Sequence, residues 1–295
     1  MSVGASAPPP GTDQGPGGSL PGPDAGHPLQ RAGGRVVDET GRHHGVMQIA
    51  NLADRPDLAT QAFGIPYAEG SPAFMQADLA ALLVNSARLA SRWPEHVIVV
   101  LDAGSVPVAR GVSVPFAAHR HRRDGYPAAG WDQVAIWAAE DALDGCELDT
   151  TCALEIAVHP EHQRQGLSAI ALSGLRDNAR RLGFTRLIAP VRPPAKAREP
   201  TVTMASYMSR TRPDGLPQDP WLRVHVRQGG QLVGVAPASA IIQASLQQWR
   251  DWTGGAFDQD GEVIVPGALT PVLVSTRLDS GVYIEPNVWV LHTLD

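Results

Sequence analysis

The chain has 295 residues, 43% of them apolar, and a formal net charge of -6. That is room for one large or two small folded domains, and the acidic balance argues against general affinity for nucleic acid. No stretch reaches the roughly 18 consecutive apolar residues that a membrane span needs.

Residues 1–34 are dominated by Gly and Pro, with Val3, Leu20 and Leu29 the large apolar residues after Met1. Such a segment cannot bury enough surface to offset its ordering entropy. A disordered tail is expected, with its boundary set at 1–44. It lacks the basic start and apolar run of a secretory leader. Cys146 and Cys152 form no metal or redox spacing. Together these point to a reducing cytoplasm.

Residues 46–52 predict a first strand, with Asp54 as cap of a short helix and Pro56 in its first turn. Residues 57–75 are broken by Gly and Pro and are expected to wrap the surface. Leu79, Leu82, Leu83, Ala87, Leu89 and Ala90 repeat near a 3.6 period, which predicts one helix over 76–92, ended by Pro94. Residues 96–101 form an apolar run typical of a strand buried on both faces. Residues 106–116 are its partner strand. The cluster His119, Arg120, His121, Arg122 and Arg123 reads as a solvated loop. A helix follows over 131–143, with Trp131, Val134, Ala135, Ala138 and Leu143 on its apolar face. Trp131 and Trp137 are read as core residues, as are Trp249 and Trp252.

The clearest run comes next: strand 153–158, a loop, helix 168–182 and strand 186–191. Residues 192–218 form a Pro- and Arg-rich loop with a short helix near 204–208. A helix then starts at Asp219 and Pro220 and stops at Gly229 and Gly230. Short strands are expected at 231–235, 240–245, 262–265, 271–275, 282–284 and 288–292, with a helical turn through Trp249 and Trp252.

The loop reads Gln163, Arg164, Gln165, Gly166, Leu167, Ser168. A buried strand stops at Val158, and the chain enters a helix at Gly166. The first N–H groups of a helix lack internal partners and carry partial positive charge. Gly166 and Ser168 keep bulk away, so the loop is an anion cradle built from main chain. No Gly-Lys-Ser/Thr follows, and Gly-x-Gly-x-x-Gly is absent, which excludes a P-loop and a dinucleotide fingerprint. Glu155 is a carboxylate inside an otherwise apolar strand, costly to bury without a reason. His159, Glu161 and His162 lack a third ligand and read as solvent-facing, so no metal is expected.

A strand, a Gln-x-x-Gly-x-small loop and a helix, in that order, resemble the acetyl-CoA-binding motif of the GNAT N-acetyltransferase superfamily. The last slot, usually Gly or Ala there, is Ser168 here. His225, four residues before Gly229 and Gly230, stands where that family has Tyr-x-x-x-Gly-Phe. The resemblance covers roughly residues 46–245. It implies an α+β fold: a mixed, mostly antiparallel central sheet, splayed between its central strands and flanked by helices. The implied division is a transferase domain at 45–245 and a β-rich C-terminal extension at 246–295, packed on the core.

The resemblance further implies a GNAT-type acyltransferase that moves an acetyl group from acetyl-CoA, as co-substrate, to an amine of a small-molecule acceptor. Ile156, Ala157 and Val158 would hold the pantetheine arm, and Gln163 to Ser168 the pyrophosphate. Glu155 is the candidate base. His225, protonated, is the candidate acid, with Tyr207 as rival. The alternatives are a non-catalytic coenzyme A-binding protein of this fold, or the same fold using a longer acyl-CoA. No nucleic-acid or membrane partner is expected, and a homodimer is left open.

Overall fold

A computed structural model describes residues 47–66, 72–120, 123 and 125–294. The expected tail at 1–44, and His121 and Arg122 of the basic cluster, lie outside the described residues. In chain order the elements are β1 (Gln48–Asn51), α1 (Ala59–Phe63), α2 (Leu79–Leu83), α3 (Ser86–Arg92), β2 (Val97–Leu101), β3 (Pro107–Phe116), α4 (Gly130–Asp144), β4 (Thr150–Val158), α5 (Leu167–Arg181) and β5 (Arg186–Val191). They continue as α6 (Met204–Met208), α7 (Pro220–Arg227), β6 (Gln231–Ala244), α8 (Leu246–Thr253), β7 (Gly261–Val263), β8 (Val272–Ser275) and β9 (Ser280–Thr293).

The strands form one mixed sheet in the order β1-β2-β3-β4-β5-β9-β8-β7, with β6 paired to β9. Every described pairing is antiparallel except that of β4 with β5. This parallel pair is held only at Thr151–Leu187 and Cys152–Ile188. Beyond those positions β4 runs on to Val158 and β5 to Val191 without pairing, so the sheet opens between its central strands.

A β-bulge marks where the opening begins. Val112 of β3 faces Glu155, whereas Ser113 faces Ala153, so Leu154 is the extra residue. Its carbonyl accepts the Trp131 indole N–H at 3.1 Å. Two faces cover the sheet. Ile98, Val100 and Ala109 pack on one side against Leu167, Ala171 and Leu175 of α5. On the other, Val114, Cys152 and Trp289 pack against Val134, Ala135 and Ala138 of α4.

Four readings of the sequence change. The single helix expected over 76–92 is a 3-10 turn and two short helices. The Asp78 side chain caps α2 through the Ala80 and Ala81 amides, and Asn85 caps α3 through Arg88. Leu79, Leu82 and Leu83 are exposed rather than core, and so is Leu143 of α4. Asp54 caps nothing: Arg55 stands at the start of the 3-10 turn Pro56–Leu58, with no side-chain cap. The short strands expected at 231–245 and 282–292 are two 14-residue strands, β6 and β9. Pro237 sits in a register shift between Ala236 and Ala240, where no ladder donor is needed.

The C-terminal strand is part of the central sheet. Residues 288–293 of β9 pair along β5, and residues 280–282 pair with β8. The segment between β6 and β9 has its own core of Phe257, Trp249, Val272 and Tyr283. Lys196, fully buried, ties it to the turn after β5: its ammonium donates to the carbonyls of Leu269 at 2.7 Å and Glu199 at 2.8 Å.

Candidate active site

Three features meet around the open end of β4 and β5. The first is the loop from β4 to α5. Hydrogen bonding of β4 with β3 ends where the His159 N–H donates to Val108 O at 2.9 Å. A 3-10 turn, Pro160–His162, follows. Arg164 takes φ 60° and Gly166 φ 75°. At Gly166 the left-handed conformation is needed to turn the chain into α5, and no side chain caps that helix. There is also no acidic residue in its first turn. The helix therefore presents uncapped amides and positive potential at the end of β4, as an anion cradle requires. Gln228, at the end of α7, donates to Ala169 O at 2.7 Å and fixes the first turn of α5.

The second feature is Glu155. It lies beyond the last β4–β5 pair, in the unpaired stretch of β4. Its carboxylate receives the Arg110 Nε–H at 2.5 Å. Arg110 also donates to Ala62 O at 2.8 Å and Ile65 O at 3.0 Å, and its guanidinium stacks over Phe63. The reason for a carboxylate in this strand is thus an ion pair that also ties down the end of α1. Ala157 of β4 is buried, while Ile156 and Val158 are half-buried and pack toward α5.

The third is a polar floor on the α4 face of β9. Trp289 of β9 packs under α4, and by strand alternation Asn287 and Glu285 share its face. Glu285 accepts from Arg192 Nε at 2.9 Å and from the Tyr283 hydroxyl at 2.8 Å. The Asn287 amide N–H groups go to Ser239 Oγ at 2.8 Å and to the β5 carbonyl of Pro190 at 3.3 Å. Ser239 Oγ in turn accepts the Trp131 backbone N–H at 2.9 Å. This contact needs Gly130, where a Cβ would lie 2.2 Å from Ser239 Oγ. Next along α4 is Asp132. Burial first, then the charge of Asp78, pushes its carboxyl well above the usual carboxylate range.

The two candidate acids are both buried. His225 is buried between α7 and β9, with Nδ1 3.0 Å from His292 Nε2 and an edge of Trp221 against its ring. Burial and then His292 push its pKa down to about 3, so the ring is neutral near pH 7. The protonated donor expected from the sequence is not what this position supplies. Tyr207 is buried on α6 and donates to Asp219 Oδ2 at 2.9 Å. Burial and then the Asp219 charge raise its pKa, so its proton is held within the α6–α7 junction. Asp78, Asp132, Glu285 and Arg110 were not singled out from the sequence. They are scattered along the chain with no local motif, and only the sheet brings them to one face.

Within the basic cluster, Arg120 at 2.7 Å and Arg123 at 2.6 Å both pair with Asp141, whose side chain has no exposed surface, while His119 is exposed. Among the described residues no group of three or more His, Cys, Asp or Glu is placed to hold a metal ion, and no helix is long and apolar enough to cross a membrane.

No family model matches the chain. It is 35% identical over 188 residues to the arginine N-acetyltransferase avaD of Aspergillus versicolor, a match that covers 57% of this chain and 65% of that protein. The chain thus spans slightly less than two thirds of that relative's length. Among solved structures, the loading GNATL domain of CurA from Lyngbya majuscula matches with a TM-score of 0.50 and 16% identity, over 84% of this chain and 96% of that one. The GNAT-like decarboxylase GphF, solved with isobutyryl-CoA, matches with a TM-score of 0.48 and 15% identity, over 84% and 99%. A mixed sheet that opens after two parallel pairs and an uncapped Gln-x-x-Gly loop at that opening thus accompany a likeness in sequence to avaD and in fold to the GNATL domain of CurA.

Proposed function

We propose that the protein transfers an acetyl group from acetyl-CoA to the amine of a small molecule. The observation that carries this reading is the parting of β4 and β5 directly before an uncapped helix N-terminus. An anionic coenzyme that is part pyrophosphate and part extended amide chain fits both halves. Amides of Gln163 to Ser168 would take the pyrophosphate, and the free edge of β4 at Ile156, Ala157 and Val158 would pair with the amide chain.

The chemistry requires a neutral amine. An alkyl ammonium with a pKa of about 10 is only ~0.1% neutral at pH 7, a penalty of roughly 4 kcal/mol. Glu155 is the carboxylate assigned to take that proton, directly or through one water. The amine nitrogen then bonds to the thioester carbon, the C–S bond breaks, and the sulfur leaves as a thiolate. A thiol of pKa about 8.5 leaves without a strong acid, so solvent can return the proton. This removes the need for His225 or Tyr207 as donor.

The likeness to avaD directs the acceptor search to arginine and related amines. The test is calorimetric titration with acetyl-CoA, followed by a coenzyme A release assay over an amine panel that includes arginine. Binding of acetyl-CoA with release on an amine is the expected result. No binding at millimolar acetyl-CoA defeats the reading; binding without release on any amine favours a coenzyme A-binding protein of this fold.

A further inference from the structure

Two buried oxygen atoms on the α4 face have no hydrogen-bond partner among the described residues: Asp132 Oδ1 and Asn287 Oδ1. Asn287 is only 4% exposed. Its amide N–H groups are already committed to Ser239 and Pro190, so the orientation of its oxygen is fixed by those bonds. Ser239 is the same residue that holds the Trp131 amide, one position before Asp132. Ser239 thus ties the first turn of α4, which carries Asp132, to the middle of β9, which carries Asn287, and this junction is the spot that holds both unpaired acceptors. Leaving a buried acceptor without a donor costs about 1–3 kcal/mol for each, so the spot is built for donors that the chain does not supply.

Its charge points the same way. Asp132 has Asp78 and Glu285 beside it, and it shares a hydrogen bond with the Asp78 side chain as well as one with the Ile241 backbone. Asp78 and Glu285 are both buried. The positive charge facing this group is Arg192, which is committed to Glu285 at 2.9 Å and to Gly267 O at 2.7 Å. Three carboxyl groups against one committed guanidinium leave the spot short of positive charge. The Pro190 carbonyl on its rim belongs to β5, one of the two strands that part.

We propose that Asp132 and Asn287, with Asp78 behind them, seat the cationic end of the acceptor, and that this end is a guanidinium. A guanidinium brings five N–H donors in a planar fork and keeps its charge at any working pH. It can meet a carboxylate and a side-chain amide oxygen at once, which the three donors of an ammonium on a single point do less well. The reacting amine then lies toward Glu155. In that last respect only, the inference rests on the transferase reading.

The test is direct binding to the full chain, with and without saturating coenzyme A, so that no turnover is needed. Calorimetry compares arginine with citrulline, which replaces the guanidinium by a neutral ureido group of nearly the same shape. The expected result is that arginine binds about tenfold to a hundredfold tighter than citrulline, the range for hydrogen bonds to a charged group. Asp132→Asn should abolish that preference and leave acetyl-CoA affinity unchanged. Equal binding of arginine and citrulline by the wild-type chain overturns the proposal, as does an Asp132→Asn chain that keeps the preference. Should that variant fail to fold, the wild-type comparison alone decides. Arginine preference without any acetyl-CoA binding would uphold the seat and defeat the transferase reading.

Discussion

Arg110 and Glu155 form a nearly buried ion pair across β3 and β4, with Nε and Oε1 2.5 Å apart and side chains 3% and 11% exposed. The pair fixes the carboxylate against the end of α1, in the stretch of β4 that β5 leaves unpaired. Glu155→Gln keeps an oxygen for Arg110 and removes the proposed base. Turnover is expected to fall about 10²–10⁴-fold, the usual worth of a positioned proton acceptor, with acetyl-CoA affinity unchanged. Coenzyme A release kinetics beside a calorimetric titration separate the two quantities. Full turnover in this variant would assign the base elsewhere.

Gly166 separates binding from folding. Its φ of 75° costs an L-residue about 1–2 kcal/mol, and a Cβ there meets no atom within 4 Å. Gly166→Val should therefore lower the melting temperature by only a few degrees, on the order of 2–4 °C per kcal/mol for a chain of this size. The added isopropyl group would stand over the uncapped amides of α5. Acetyl-CoA affinity is expected to drop at least about tenfold, consistent with the loss of one or two hydrogen bonds to a charged group. A variant that binds acetyl-CoA normally would show that the loop is not the anion cradle.

How much of this was written locally in the chain follows from the range of each interaction. The Gln163–Ser168 loop, β5, α6 and α7 were legible, because Gly166, Thr203, Asp219 and Pro220 act on amides within a few residues. The 76–92 segment misled, because its leucine period is helical while the Asp78 and Asn85 side chains restart the helix twice. Separate short strands were expected at 231–235 and 240–245 and at 282–284 and 288–292, yet Pro237 and Pro286 fall within the continuous β6 and β9. The proposed acceptor face was not legible at all. Asp78, Asp132, Glu285 and Asn287 become neighbours only once β9 has inserted beside β5, and no spacing in the sequence encodes that.

His225 and His292 set an acid limit on stability. Burial is the first cause for both; it lowers His225 to about 3 and His292 to about 4, from an ordinary 6.5. The folded state thus binds fewer protons than the unfolded chain between about pH 4 and 6.5, so stability rises with pH through that window and is complete above it. Acidification from pH 7 to pH 5 should cost about 2 kcal/mol for each ring. Urea unfolding at a series of pH values checks this. The double variant His225→Asn, His292→Asn should flatten the slope between pH 5 and 6.5, and an unchanged slope would place the acid sensitivity in other groups.

Trp131 tests how the sheet is kept open. Its indole N–H takes the carbonyl of Leu154, the bulged residue at which β4 starts to leave β5. Trp131→Phe keeps most of the ring and deletes the donor. The carbonyl is then left with a choice between staying unpaired, at a cost of about 1–3 kcal/mol, and recovering a donor by relaxing the bulge. Relaxation would draw β4 back toward β5 and narrow the gap in which the amide chain of the coenzyme is proposed to lie. Acetyl-CoA affinity is therefore expected to fall several-fold, beyond what the loss of stability explains. Trp137→Phe is the control, since Trp137, on the same helix as Trp131, stacks on Phe116 of β3. Equal effects of the two variants on affinity would mean that the opening is held by the strands themselves, and that the indole contact with Leu154 contributes packing alone.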